Sequence, residues 1–191
     1  MTSEPLKRIY LAGPEVFLPD AIAVGRAKAD LARTAGFEGL FPLDQQLGLD
    51  GLPKLEQARR ISLANEALMR SCDLLIANLT PFRGVSMDSG TAFEVGFMRA
   101  LGRPVLGYTN VPGDYRARAE AYRARGIPAG DSDAAGFEIE DFGMAENLMI
   151  AVAILESGGS VIEGDAPAGA EMADHAAFAR SLEEARRLLL E

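Results

Sequence analysis

The sequence predicts an α/β protein built on a parallel sheet. Short apolar runs alternate with longer amphipathic stretches, Gly or Pro punctuates the boundaries, and the alternation repeats along most of the chain. At 191 residues the chain reads as one domain, 1–191, long enough to bury a core without disulfide or metal staples.

Residues 8–12 form a short strand ended by Gly13-Pro14. Residues 20–35 read as a helix with Gly36 as its C-terminal cap. A brief strand over 39–41 stops at Pro42. Residues 54–71 place Leu55, Ala58, Ile61, Leu63, Ala64, Leu68 and Met69 at the spacing of an amphipathic helix. The run Asp73-Leu-Leu-Ile-Ala-Asn-Leu79 is a buried strand, broken into a loop by Pro81, Arg83 and Gly84. A helix runs from Thr91 to about Leu101, Gly102-Arg-Pro104 stops it, and a fourth strand occupies 104–108. This order predicts parallel strands joined by right-handed crossovers. Residues 114–125 carry the charge pattern of a solvated helix, 126–136 a loop rich in Gly, Ala and Asp, and 145–155 an apolar helix for core or interface. A last strand over 160–163, a low-complexity loop over 164–170 and a closing helix over 171–190 complete the chain.

A hydrophobic fraction of 48% with 25% charged residues is ordinary for a globular protein. The net charge of −9 argues against a nucleic-acid polymer as partner, because phosphates are repelled. The single cysteine, Cys72, forms no internal disulfide and suits a reducing, cytoplasmic location; at a strand start it reads as a small buried hydrophobe. No apolar run approaches the about 18 residues a membrane span needs, and Met-Thr-Ser-Glu-Pro lacks a signal-peptide pattern, so no membrane association is expected.

The chemistry concentrates in Asp88-Ser-Gly-Thr-Ala-Phe-Glu94, between the strand at 73–79 and the helix after it. That placement sets two carboxylates at the carboxyl edge of the sheet, where open α/β folds bind ligands. As a residue of the first helical turn, Glu94 is favoured in its ionised form by the helix dipole. An ionised carboxylate at a crevice is a nucleophile toward a sugar carbon. Thr91-Ala-Phe-Glu94 fits a capping box equally well, with Thr91 as N-cap, and Asp88 fits a turn residue.

Common alternatives are missing. No GxGxxG follows the first strand and no GxxxxGK[ST] occurs, so neither familiar phosphate-cradling loop is present. His175, the single histidine, has no Cys or second His to complete a metal site and reads as a surface residue. A catalytic triad would need that same histidine. Catalysis is therefore expected to run on carboxylates, Tyr and amides, which suits glycosyl transfer with neither metal nor cofactor.

Ile9-Tyr-Leu-Ala-Gly-Pro-Glu-Val-Phe17, Phe41-Pro-Leu-Asp-Gln-Gln46, Cys72-Asp-Leu-Leu-Ile-Ala-Asn-Leu79, residues 88–96 and Glu146-Asn-Leu-Met149 together resemble the nucleoside 2-deoxyribosyltransferase family. The resemblance covers roughly residues 8–155 in order, and the tail from Gly164 looks private to this chain. It implies a flavodoxin-like, doubly wound, five-stranded parallel sheet with flanking helices. It also implies a cofactor-free ping-pong reaction on small-molecule deoxynucleosides and free nucleobases. Glu94 would attack C1′, release the base and hold a 2-deoxyribosyl ester until a second base arrives. Tyr10 would hydrogen-bond Glu94; its alternative is strand-end packing. Asp88 would accept a hydrogen bond from the sugar 5′-OH. Asn147 would reach that hydroxyl from a neighbouring subunit of a homo-oligomer, with Met149 beside it; locally, Asn147 reads equally as a helix N-cap. Gln46 would touch the base and Phe17 stack on it, in the loop that Gly13 opens.

Asn65 departs from the family pattern, standing where an Asp precedes the Asp73 strand by eight residues. An amide can orient the leaving base but cannot donate a carboxylic proton. Three readings compete: deoxyribosyl transfer, hydrolysis of deoxynucleosides or their 5′-monophosphates, and a non-enzymatic nucleotide-sensing module. Asp88 favours a nucleoside, since a carboxylate repels a 5′-phosphate but accepts from a hydroxyl. Tyr10, Asp88 and Glu94 together count against the third. Transfer is the expectation, with hydrolysis when water replaces the acceptor base.

Overall fold

The computed structural model describes residues 5–44, 47–126 and 136–191. Its strands are β1 (Lys7–Ala12), β2 (Phe37–Leu40), β3 (Leu74–Asn78), β4 (Val105–Thr109) and β5 (Val161–Glu163). They form one five-stranded sheet in the order β2-β1-β3-β4-β5, every pairing parallel. The helices are α1 (Ala21–Thr34), α2 (Lys54–Arg70), α3 (Ser89–Ala100), α4 (Tyr115–Ala124), α5 (Leu148–Glu156) and α6 (Ala176–Leu189).

Strand alternation divides the core into two layers. Ile9, Leu11, Leu74, Ile76 and Leu106 pack with Ala32 of α1 and with Phe178, Leu182 and Ala185 of α6. Tyr10, Ala12, Leu75, Ala77 and Val105 pack on the other face with Met69 of α2, Val95 and Met98 of α3, and Ile154 of α5. This is the doubly wound, flavodoxin-like arrangement. The chain leaves β1 outward to β2 and then crosses back to β3, so a crevice opens between the carboxyl ends of β1 and β3.

Several boundaries differ from the sequence expectations. α3 starts at Ser89, and its N-cap is Asp88, whose Oδ2 accepts from Thr91 N at 3.0 Å and Thr91 Oγ1 at 3.2 Å. Thr91 therefore lies inside the helix, and the capping box it suggested with Glu94 does not form. α5 starts at Leu148, because Asn147 caps it by accepting from Met149 N at 3.0 Å. α6 starts at Ala176: the Asn110 amide donates to the carbonyls of Glu171 and Asp174 and holds that segment out of the helix. His175 sits half-buried before α6 and is not a surface residue; burial and the Lys28 charge lower its pKa. β2 begins at Phe37, whose ring is fully buried. In α2 only Met69 is fully buried, while Leu55 and Leu63 stay exposed. Gly36, at φ 94°, closes α1, and Asp114 caps α4.

Candidate active site

Tyr10 faces the α3 layer because Ile9 and Leu11 take the other side of β1. Its buried hydroxyl donates to Glu94 Oε1 at 2.6 Å. Glu94 stands three residues, about one turn, after the buried Thr91, on the inward side of α3. Burial raises the Glu94 carboxyl to about 7; the Tyr10 hydrogen bond pulls it down and the Asp88 charge pushes it up. Glu94 thus lies in the second turn of α3, and desolvation outweighs the helix dipole that favoured full ionisation. Burial, reinforced by the Glu94 charge, keeps the Tyr10 hydroxyl protonated, so Tyr10 acts here as a hydrogen-bond donor. Glu94 Oε2 makes no hydrogen bond among the described residues.

Above this pair lies a cavity of about 330 Å³, lined by Gly13, Phe17, Leu43, Ile61, Asn65, Asp88, Gly90, Thr91 and Glu94 among others. Its size fits a small-molecule ligand. The crevice therefore brings Gly13, Phe17, Asn65, Asp88 and Glu94 to one cavity, with Tyr10 beneath them. Asp88 spends Oδ2 on capping, and its Oδ1 makes no hydrogen bond among the described residues. The Asn65 amide likewise makes none among them. Gln46 lies outside the described residues. Asn147 and Met149 do not line this cavity: Asn147 Nδ2 donates to Glu140 Oε1 at 2.7 Å, and Met149 is 70% exposed. A second cleft of about 360 Å³ holds Glu138 and Glu140, but Glu140 is committed to the start of α5, accepting from Leu148 N at 3.0 Å.

Sequence reasoning missed Phe82, whose ring stacks on Phe17 with centroids 5.5 Å apart and planes at 12°. The Arg83 guanidinium lies 5.1 Å from the Phe17 centroid and 4.6 Å from that of Phe82. Sequence reasoning marks Pro81, Arg83 and Gly84 only as loop breakers. It also missed Lys28, although a signal was present: Lys28 follows Val24 and precedes Ala32 by four residues, a charge at a core position of α1. Among the described residues, no cluster of three His, Cys, Asp or Glu could hold a metal ion. None of the described helices is long and apolar enough to cross a membrane.

A doubly wound parallel sheet, a ligand-sized crevice at its switch point and a desolvated Glu held by a buried Tyr define the class: an α/β protein with a carboxylate facing a cavity at the sheet edge. Residues 9–149 match the family model described as nucleoside 2-deoxyribosyltransferase, and the chain belongs to that family. It is 34% identical over 167 residues to an uncharacterized protein of Schizosaccharomyces pombe, covering 80% of this chain and 79% of the relative. Among solved structures it is similar to a 2-desoxiribosyltransferase from Leishmania mexicana, with 31% identity, TM-score 0.62, and 93% of this chain and 97% of the other covered. A conserved protein from Enterococcus faecalis shares the fold at 19% identity and TM-score 0.58, over 95% of this chain and 99% of that one.

Proposed function

We propose that the protein transfers 2-deoxyribosyl groups between nucleobases through a covalent ester on Glu94. The observation that carries this reading is the 2.6 Å Tyr10–Glu94 hydrogen bond beneath the cavity, which fixes one carboxylate oxygen and leaves the other open. The open oxygen attacks C1′, the C1′–N bond breaks, and its electron pair leaves with the base, which takes up a proton. A second base reverses the steps, displacing Glu94 from C1′. Asp88 Oδ1 accepts from the sugar 5′-OH, Phe17 packs on the base and Asn65 hydrogen-bonds its edge. Gln46 would complete the base contacts. The free, buried Cys72 and a pI near 4.7 suit a soluble cytoplasmic salvage enzyme.

The test is incubation with deoxyinosine or thymidine, with and without free adenine or cytosine, followed by product separation. A new deoxynucleoside is expected only when the acceptor base is supplied. Free base with no new nucleoside under either condition would favour the second reading, N-glycosidic hydrolysis.

Glu94 must be ionised to attack, and its carboxyl titrates at about 7. Below that pH, kcat/KM is expected to rise about tenfold per unit, then level off, since this ratio reports the free enzyme. Tyr10→Phe removes the hydrogen bond that favours the ionised form, so the rising limb should move to higher pH. A flat profile from pH 5 to 9 would remove Glu94 from the attacking role.

Asp88→Ser keeps an N-cap for α3 but removes the charge facing the 5′ position. Preference is expected to shift from deoxycytidine toward deoxycytidine 5′-monophosphate. Faster cleavage of the monophosphate by the unmodified protein would overturn the assignment of Asp88.

A further inference from the structure

A buried polar chain runs beneath the carboxyl edge of the sheet, on the face opposite Glu94. Glu15 Oε1 accepts from Lys28 Nζ at 2.8 Å, Tyr108 OH at 2.9 Å and Asn78 Nδ2 at 3.0 Å. Lys28 Nζ also donates to the Tyr108 hydroxyl at 3.1 Å. The Lys28 and Glu15 side chains are 0% and 1% exposed. On its other side, Asn78 Oδ1 accepts from Thr80 N at 3.0 Å, and Thr80 Oγ1 accepts from Asn110 N at 3.0 Å. One carboxylate therefore joins α1, the ends of β3 and β4, and the short 3-10 turn Pro14–Phe17.

Stability gives little reason for this arrangement. Two charges removed from water cost several kcal/mol each, and apolar replacements of similar volume are often neutral or stabilising. Burial alone would raise the Glu15 carboxyl, yet Lys28 and the surrounding hydrogen bonds hold it below its usual value. Glu15 Oε2 is buried, has no hydrogen-bond partner among the described residues and lies against Gly13, where a Cβ would collide with it and press on Asn78 Cβ. Gly13 and Phe17 bracket this carboxylate and both line the cavity, while Glu15 does not. The network also reaches, through Asn78 and Thr80, the root of the loop that carries Asp88.

We propose that Glu15 is a positioning residue, whose buried contacts with Lys28, Asn78 and Tyr108 set the Gly13 and Phe17 wall of the cavity against the nucleobase. The inference rests on the deoxyribosyl-transfer reading of that cavity. Tyr10 lies on the far face of the sheet and Glu94 on α3 beyond it, so the network governs substrate binding and leaves the reacting atoms in place.

The test is the double variant Glu15→Leu/Lys28→Met, which removes both charges together and leaves no orphaned buried ion. Tyr108→Phe is its milder companion, deleting one hydroxyl and keeping the ring. The double variant should raise KM about tenfold with kcat within about twofold of the parent, the pattern of lost uniform binding. Amide hydrogen exchange should quicken over residues 15–18. Tyr108→Phe should move both readouts the same way by less, and Glu15→Gln, which keeps an accepting oxygen, should preserve more of the parent KM. Unchanged KM in folded variants, or a fall in kcat with KM unchanged, overturns the proposal. If the double variant does not fold, Tyr108→Phe decides. If the parent protein turns over no deoxynucleoside, the functional reading fails by itself. Amide exchange then judges the network, and unaltered exchange over 15–18 sinks it.

Discussion

Glu94→Ala is expected to lose about four orders of magnitude in deoxyribosyl transfer, about 5 kcal/mol of barrier, because the covalent route disappears. The fold should survive, since Asp88 and not Glu94 caps α3. Alanine leaves the buried Tyr10 hydroxyl without its acceptor, a cost of about 1–3 kcal/mol. Glu94→Gln avoids that cost by keeping an oxygen for Tyr10, so it should melt close to the parent and be equally inactive. The sign of the stability change with pH gives a second check. The Glu94 carboxyl titrates at about 7 in the folded protein, against 4.5 for an ordinary glutamate. As pH rises between those values the unfolded chain ionises first, so the parent should lose stability there relative to Glu94→Gln. Mass spectrometry of the parent quenched during turnover should find a deoxyribosyl adduct on the peptide carrying Glu94. Turnover by Glu94→Gln at a tenth of the parental rate or more would end the nucleophile assignment.

The second large effect concerns subunits. Asn147 and Met149 do not line the cavity of their own chain, and α5 presents Met149 at 70% and Leu155 at 53% exposure. We propose that this helix is lent to a neighbouring copy, completing its sugar site. In a closed two-fold dimer of mixed parentage, Glu94→Ala with Asn147→Ala gives one doubly defective site and one intact site. Random exchange makes half the dimers mixed, so two inactive proteins should together recover about a quarter of the parental activity. Asn147 also caps α5, and its loss should cost about 1 kcal/mol of stability, which a melting curve separates from loss of activity. A monomer at assay concentration by light scattering, or no recovery despite proven exchange, would sink the shared site.

Much of this architecture was legible locally. β1 and β3 are short apolar runs bounded by Gly, Pro or charge, and their residues fill both faces of the sheet as such runs must. Gly36 closes α1 where only a residue tolerant of φ 94° fits well. Helix starts were less legible where two good caps compete: Asp88 and Thr91 stand three residues apart, and Asp88 is the cap, its carboxylate accepting from Thr91 N. The beginning of α6 was hidden because it depends on Asn110, more than sixty residues away.

The sequence by itself pointed to the parallel sheet and to Asp88 and Glu94 at its carboxyl edge, because strand and helix periods and turn residues are local properties; the strand order that opens the crevice between β1 and β3 came from the structure. The Tyr10–Glu94 hydrogen bond, across 84 residues, was expected only through the family resemblance; tertiary structure alone decided that Glu94 titrates at about 7 and that Lys28 is buried against Glu15 behind the cavity wall. The physical reason is that desolvation and charge pairing are set by whichever distant groups surround a side chain, and no spacing along the chain encodes that environment.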